Sequence, residues 1–91
     1  MKTLADGVVQ YRNSPEFTEH TVPAALLRRH TTAAGVWGCI RIIEGSLRYK
    51  ILAPSLEVHT LTPTLSGIVE PQVPHEVECI GPVRFCVEFH R

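Results

Sequence analysis

Along this chain, prolines and glycines break up short runs in which apolar and polar residues alternate. Alternation with period two is the mark of a half-buried strand, and turn residues between such runs mark the strand ends. The pattern predicts strands over Val8–Tyr11, Ala24–Arg29, Gly35–Ile43, Ser46–Leu52, Leu56–Leu61, Gly67–Glu70, His75–Cys79 and Val83–His90. Ser14-Pro15-Glu16-Phe17 reads as one helical turn, with serine as cap and proline in the first turn. No long helical period, repeat or low-complexity segment interrupts this. Short strands at this spacing imply an all-β sandwich or barrel.

Parity sharpens the picture, because slipping a strand by one residue turns every side chain to the other face. If Glu44-Gly45 is a two-residue hairpin turn, Ile42 faces Leu47, Ile40 faces Tyr49 and Gly38 faces Ile51, so one face is apolar throughout. The opposite face then sets Arg41 across from Arg48, beside Trp37, Cys39 and Ile43. Those three apolar residues need cover, which the N-terminal segment or a second copy of the chain could provide, and a homodimer through this face is expected. A second hairpin at Ile80-Gly81-Pro82 pairs Cys79 with Val83, Val77 with Phe85, His75 with Val87 and, on the other face, Glu78 with Arg84. His75 therefore points inward.

With 91 residues the chain has room for a single domain, residues 1–91. Nine Lys and Arg balance nine Asp and Glu, and the charges are scattered, with Arg28-Arg29 the only adjacent basic pair. Nucleic-acid binding is not expected, since it rests on clustered cations. The apolar runs fall far short of the ~20 residues of a membrane span, and the N-terminal residues lack the apolar segment of a signal peptide. No membrane partner and a cytoplasmic location are expected. Cys39, Cys79 and Cys86 form no Cys-x-x-Cys spacing and read as reduced structural thiols. Cys79 and His75 share a face but lie four residues apart on one strand, roughly 13 Å at a rise of about 3.3 Å per residue, too far for a thiolate–imidazole pair.

The segment with most chemical promise is Glu70-Pro71-Gln72-Val73-Pro74-His75-Glu76-Val77. Pro71 and Pro74 remove two amide donors and restrict the backbone, so His75 is presented by a stiff turn. Rigid presentation is what a metal or ligand site needs. The segment resembles the second cupin motif, in which a Pro-Gly-Val-Pro-His turn supplies a metal-binding histidine. Ile42-Ile43-Glu44-Gly45-Ser46-Leu47 similarly resembles the end of the first motif. Phe17 to Pro23, Thr32 to Gly38 and the ending Val83 to Arg91 narrow the likeness to the small cupin-like domain of the TehB/YeaR group. That domain occurs alone or ahead of a methyltransferase in longer tellurite-resistance proteins. The resemblance implies a cupin-like double-stranded β-helix, a jelly-roll barrel, that binds a metal ion or a small molecule.

The chain departs from the general cupin pattern where the metal ligands belong. The first motif's glutamate falls at Gly38, its histidines fall among Thr31-Thr32-Ala33-Ala34, and Gln72 replaces the turn glycine. His30, Glu70 and His75 remain as candidate metal ligands, with His59 a weaker fourth. Such a set of N and O donors would suit zinc, iron or nickel. Three functions stay open: a metal- or ligand-binding module tied to oxyanion stress, a metal-dependent enzyme, and an interaction domain whose pocket is vestigial. No methyltransferase domain is present in these residues, so that activity is not carried over.

Overall fold

The computed structural model describes residues 1–91. Six strands follow in order: β1 (Gln10–Asn13), β2 (Phe17–Thr18), β3 (Trp37–Ile51), β4 (Glu57–Leu61), β5 (Gly67–Val69) and β6 (His75–His90), with a 3-10 turn at Ala24–Leu27. All pairings are antiparallel, in the order β1-β6-β3-β4, with β2 added to β6 and β5 to β3. The all-β expectation holds. The strand path ends on β1 and β4 without closing into a barrel.

Two long strands carry the architecture. β3 and β6 pair along their whole length, from Trp37 opposite His90 to Ile51 opposite His75. Their inward residues form the core: Ile40, Ile42, Leu47, Tyr49 and Ile51 meet Val77, Val83, Phe85 and Val87, joined by Leu61 and Val69. The inward parity expected for these residues, His75 included, is therefore correct. The two hairpins are not. Neither Glu44-Gly45 nor Ile80-Gly81-Pro82 reverses the chain; they lie opposite each other as bulges, with Gly45 paired to Val83 and Leu47 to Cys79. Ser46 alone then spans what three residues span on β6.

A glycine turn and a glycine bulge look alike locally, and long-range pairing decides between them. Here the full-length pairing buries both apolar stripes and also sorts the charges. Arg48 meets Glu78, Arg84 meets Glu44 at 2.6 Å and Arg41 meets Glu88 at 3.5 Å, so the expected Arg41–Arg48 and Glu78–Arg84 pairs do not form. Gly45 is required twice over. Its φ is +80°, and a Cβ there would lie 2.1 Å from the Pro82 carbonyl oxygen.

Two local expectations also fail. Ala24–Leu27 is helical, with Leu26 N–H donating to the Pro23 carbonyl at 3.0 Å. Its four residues do not alternate, and Pro23 provides the helix start. Ser14 caps no helix. Its N–H donates to the Val87 carbonyl and its Oγ accepts from the Val87 N–H, both at 2.8 Å, so serine continues the β1–β6 pairing. On the outer face, Cys39 is buried and Trp37 half-buried within one chain, leaving Ile43, 37% exposed, as the uncovered member of the trio. All three cysteines are free, and burial pushes each thiol up from its ordinary value. They are poor nucleophiles. No helix is long and apolar enough to cross a membrane.

Candidate functional site

The turn before β6 does present His75 rigidly. Gln72 takes φ +62°, in the region glycine prefers, and its N–H donates to the Thr32 carbonyl at 3.2 Å. Val73 N–H donates to the Glu70 carbonyl, closing the turn at 3.3 Å. Beyond Pro74, His75 and His30 exchange backbone hydrogen bonds of 2.9 and 2.8 Å, a one-residue bridge that fixes both side chains on the same wall. Their rings meet edge to face at 5.5 Å, and the Tyr49 ring stands 6.0 Å from His75 on another side.

His75 is 4% exposed, and burial holds its imidazole below the ordinary value, with His30 pushing the same way. It is neutral at physiological pH. Its Nδ1 lies 3.2 Å from the Val73 carbonyl. A carbonyl can only accept, so Nδ1 carries the proton and Nε2 keeps a bare lone pair. That lone pair has no partner in the protein, yet it is not sealed inside. His75 lines a cavity of about 300 Å³.

The cavity lies between β6, the β2 segment and the 3-10 turn. Phe17, Leu26, Ile40, Val77, Phe85, Val87 and Phe89 supply apolar walls; His30, His75, Thr32, Ser14 and Arg12 are the polar exceptions. Glu70 is elsewhere. It lines a separate cavity of about 280 Å³ with Met1, Tyr49 and Ile51, and its carboxylate pairs with Lys2 at 3.7 Å. His59, on β4, is engaged by Glu57 at 3.0 Å. Of the four candidate ligands, then, only His30 and His75 come together.

No three His, Cys, Asp or Glu side chains converge on a point that could hold an ion. Zinc, iron and nickel sites draw on about three or more protein donors, and two imidazoles fall short. The place where the cupin likeness puts glutamate is closed as well. A Cβ at Gly38 would stand 3.2 Å from the Val69 Cβ and 3.5 Å from Val87. The donor set does not fit a resident metal. Arg12, Ser14 and Thr32 escaped the sequence reading, since only the pairing of β1 and the Thr32 loop against β6 brings them to this cavity.

With this geometry in view, comparison with known proteins places the chain. The model of the TehB-like domain matches residues 12–87. The chain belongs to the TehB-like domain family. It is 30% identical over 82 residues to the probable S-adenosyl-L-methionine-dependent methyltransferase TehB of Haemophilus influenzae Rd, covering 86% of this chain and 29% of that protein. The corresponding protein of strain 10810 is 29% identical over the same share. The crystal structure of Haemophilus influenzae TehB superposes with a TM-score of 0.84 at 26% identity, over 91% of this chain and 31% of that one. This TehB-like domain thus spans less than a third of the length of those relatives. A crystal structure of an Escherichia coli K12 protein matches its fold with a TM-score of 0.88 at 19% identity, over 100% of this chain and 97% of that one.

Proposed function

We propose that this TehB-like domain is a binding module for a small, mostly apolar organic molecule that donates one hydrogen bond to His75 Nε2. The observation behind it is the unpartnered lone pair of a neutral, rigidly held imidazole at the wall of an apolar cavity. Small-molecule sites have this character: apolar walls with a few placed polar groups, in clefts upward of about 300 Å³. In this reading the domain is a cupin-type jelly roll that has exchanged its metal for an organic ligand, with Gly38 in place of the metal-binding glutamate. A bare, strongly hydrated oxyanion such as tellurite is a poor occupant, since its lost hydration would find too few partners among the apolar walls. Any link to oxyanion stress would then run through the organic ligand. Methyl transfer, named for the Haemophilus relatives, is not assigned to these 91 residues.

The test is a titration with phenol and, separately, toluene, followed by amide shifts of the cavity residues, in wild type and His75→Phe. Phenol can donate to Nε2 and toluene cannot, and one hydrogen bond of about 1 kcal/mol is roughly fivefold in affinity. The ratio of phenol to toluene affinity should fall by about that factor in the variant. A ratio unchanged by the substitution, or no shifts at Phe85, Val87 and Leu26 with either probe, refutes the proposal.

A further inference from the structure

The cations of this chain are not evenly employed. Lys2, Arg41, Arg48, Lys50 and Arg84 each lie within ion-pair distance of a carboxylate. Arg12, Arg28, Arg29 and Arg91 do not, although the chain as a whole is neutral. Of these four only Arg12 lines the apolar cavity, whereas Arg91 stacks on the Tyr11 ring, 3.9 Å from its centroid. Arg12 lines the cavity from β1, and Arg28-Arg29 join the 3-10 turn, whose Ala25 and Leu26 line it, to His30, which lines it too. No Asp or Glu is among the residues that line the cavity. Arg12 therefore stands as one positive charge, without a carboxylate partner, beside apolar walls.

Arg12 is also held ready. Its guanidinium lies over the Phe89 ring, 5.7 Å from the centroid, and the residue is exposed to solvent. Stacking of this kind steadies the planar group while leaving its N–H edge free for a carboxylate fork. At the inner wall, by contrast, the neutral His75 offers a lone pair, which repels an anion and accepts a donor. Exposed Arg12 and buried His75 thus favour different groups of one molecule.

We infer that the ligand is an amphipathic carboxylate, with its charged end at Arg12 and its apolar body inside. The inference rests on the cavity reading proposed above and adds the sign and place of the ligand's charge. At the entrance a carboxylate keeps part of its hydration, so pairing with Arg12 does not require the full cost of burying an ion.

The experiment compares phenylpropionate with 4-phenyl-2-butanone, nearly equal in size, uncharged and equally without a donor for His75, by calorimetric or amide-shift titration at low salt. Wild type should bind the carboxylate about tenfold more tightly than the ketone, the scale of a charge-assisted contact near a surface. In Arg12→Gln that ratio should collapse to about one, and in wild type it should shrink as salt is raised. Equal binding of the two probes by wild type, or a preference that survives Arg12→Gln, overturns the inference while leaving the cavity reading standing. If neither probe binds, the inference falls together with the cavity reading, and the phenol titration shows the second loss independently.

Discussion

Replacing Gly45 with alanine tests how the two long strands pass each other. Two costs are added at this position. The positive φ alone costs an L-residue about 1–2 kcal/mol. The new methyl group would also lie 2.1 Å from the Pro82 carbonyl oxygen, a backbone atom that cannot rotate away. Forcing such a contact adds about 1–3 kcal/mol. Gly35 provides the control, since its φ is +76° but a Cβ there meets nothing within 4 Å. Gly35→Ala should lose about 1–2 kcal/mol, and Gly45→Ala about 2–5. Urea denaturation followed by Trp37 fluorescence reads both directly, provided the slope with denaturant is unchanged. Equal losses in the two variants would refute the bulge and restore a free hairpin turn at Glu44-Gly45.

Other outcomes follow from single residues. Gln72→Gly should stabilise by about 0.5–1 kcal/mol in the same assay, because relief of its φ of +62° outweighs the added chain entropy. Tyr49→Phe should lose about 1–2 kcal/mol, since the buried hydroxyl donates to the Ile68 carbonyl at 2.9 Å and that acceptor would be orphaned. His75 is held below its ordinary 6.5, so the unfolded chain takes up a proton that the folded chain resists. Its contribution to stability is complete above about pH 7 and is lost as pH falls through 6.5 toward the folded value, and His75→Gln should flatten that slope. Glu57 and Glu78, held below 4.5 by hydrogen bonds from His59 and Arg48, act only at lower pH and leave this window clear.

Much of the core was legible in alternation. Val77, Phe85 and Val87, like Ile40, Ile42 and Tyr49, declare their face by period two, and that face is the same whether a strand turns back or runs on. The direction of the chain at Gly45 and Gly81 was not legible for the same reason. Only the partners settle it: Arg48 finds Glu78 and Arg84 finds Glu44 across β3 and β6, contacts between distant segments that no local window contains. The stiff turn before His75 could be read because proline acts locally. Its company could not. His30 reaches His75 through one long-range bridge, and Glu70, though nearer in sequence, lines a different cavity with Tyr49 and Met1. Arg12, one residue past the expected Val8–Tyr11 strand, carried no signal beyond its positive charge.

The account depends most on the state of one ring, and long-range nitrogen–proton correlation spectra of the histidines at neutral pH observe it directly. His75 should show a protonated Nδ1 and a bare Nε2, and the Nε2 resonance should move when phenol is added while Nδ1 stays. An imidazolium, a proton on Nε2, or an Nε2 indifferent to phenol would contradict the site described here.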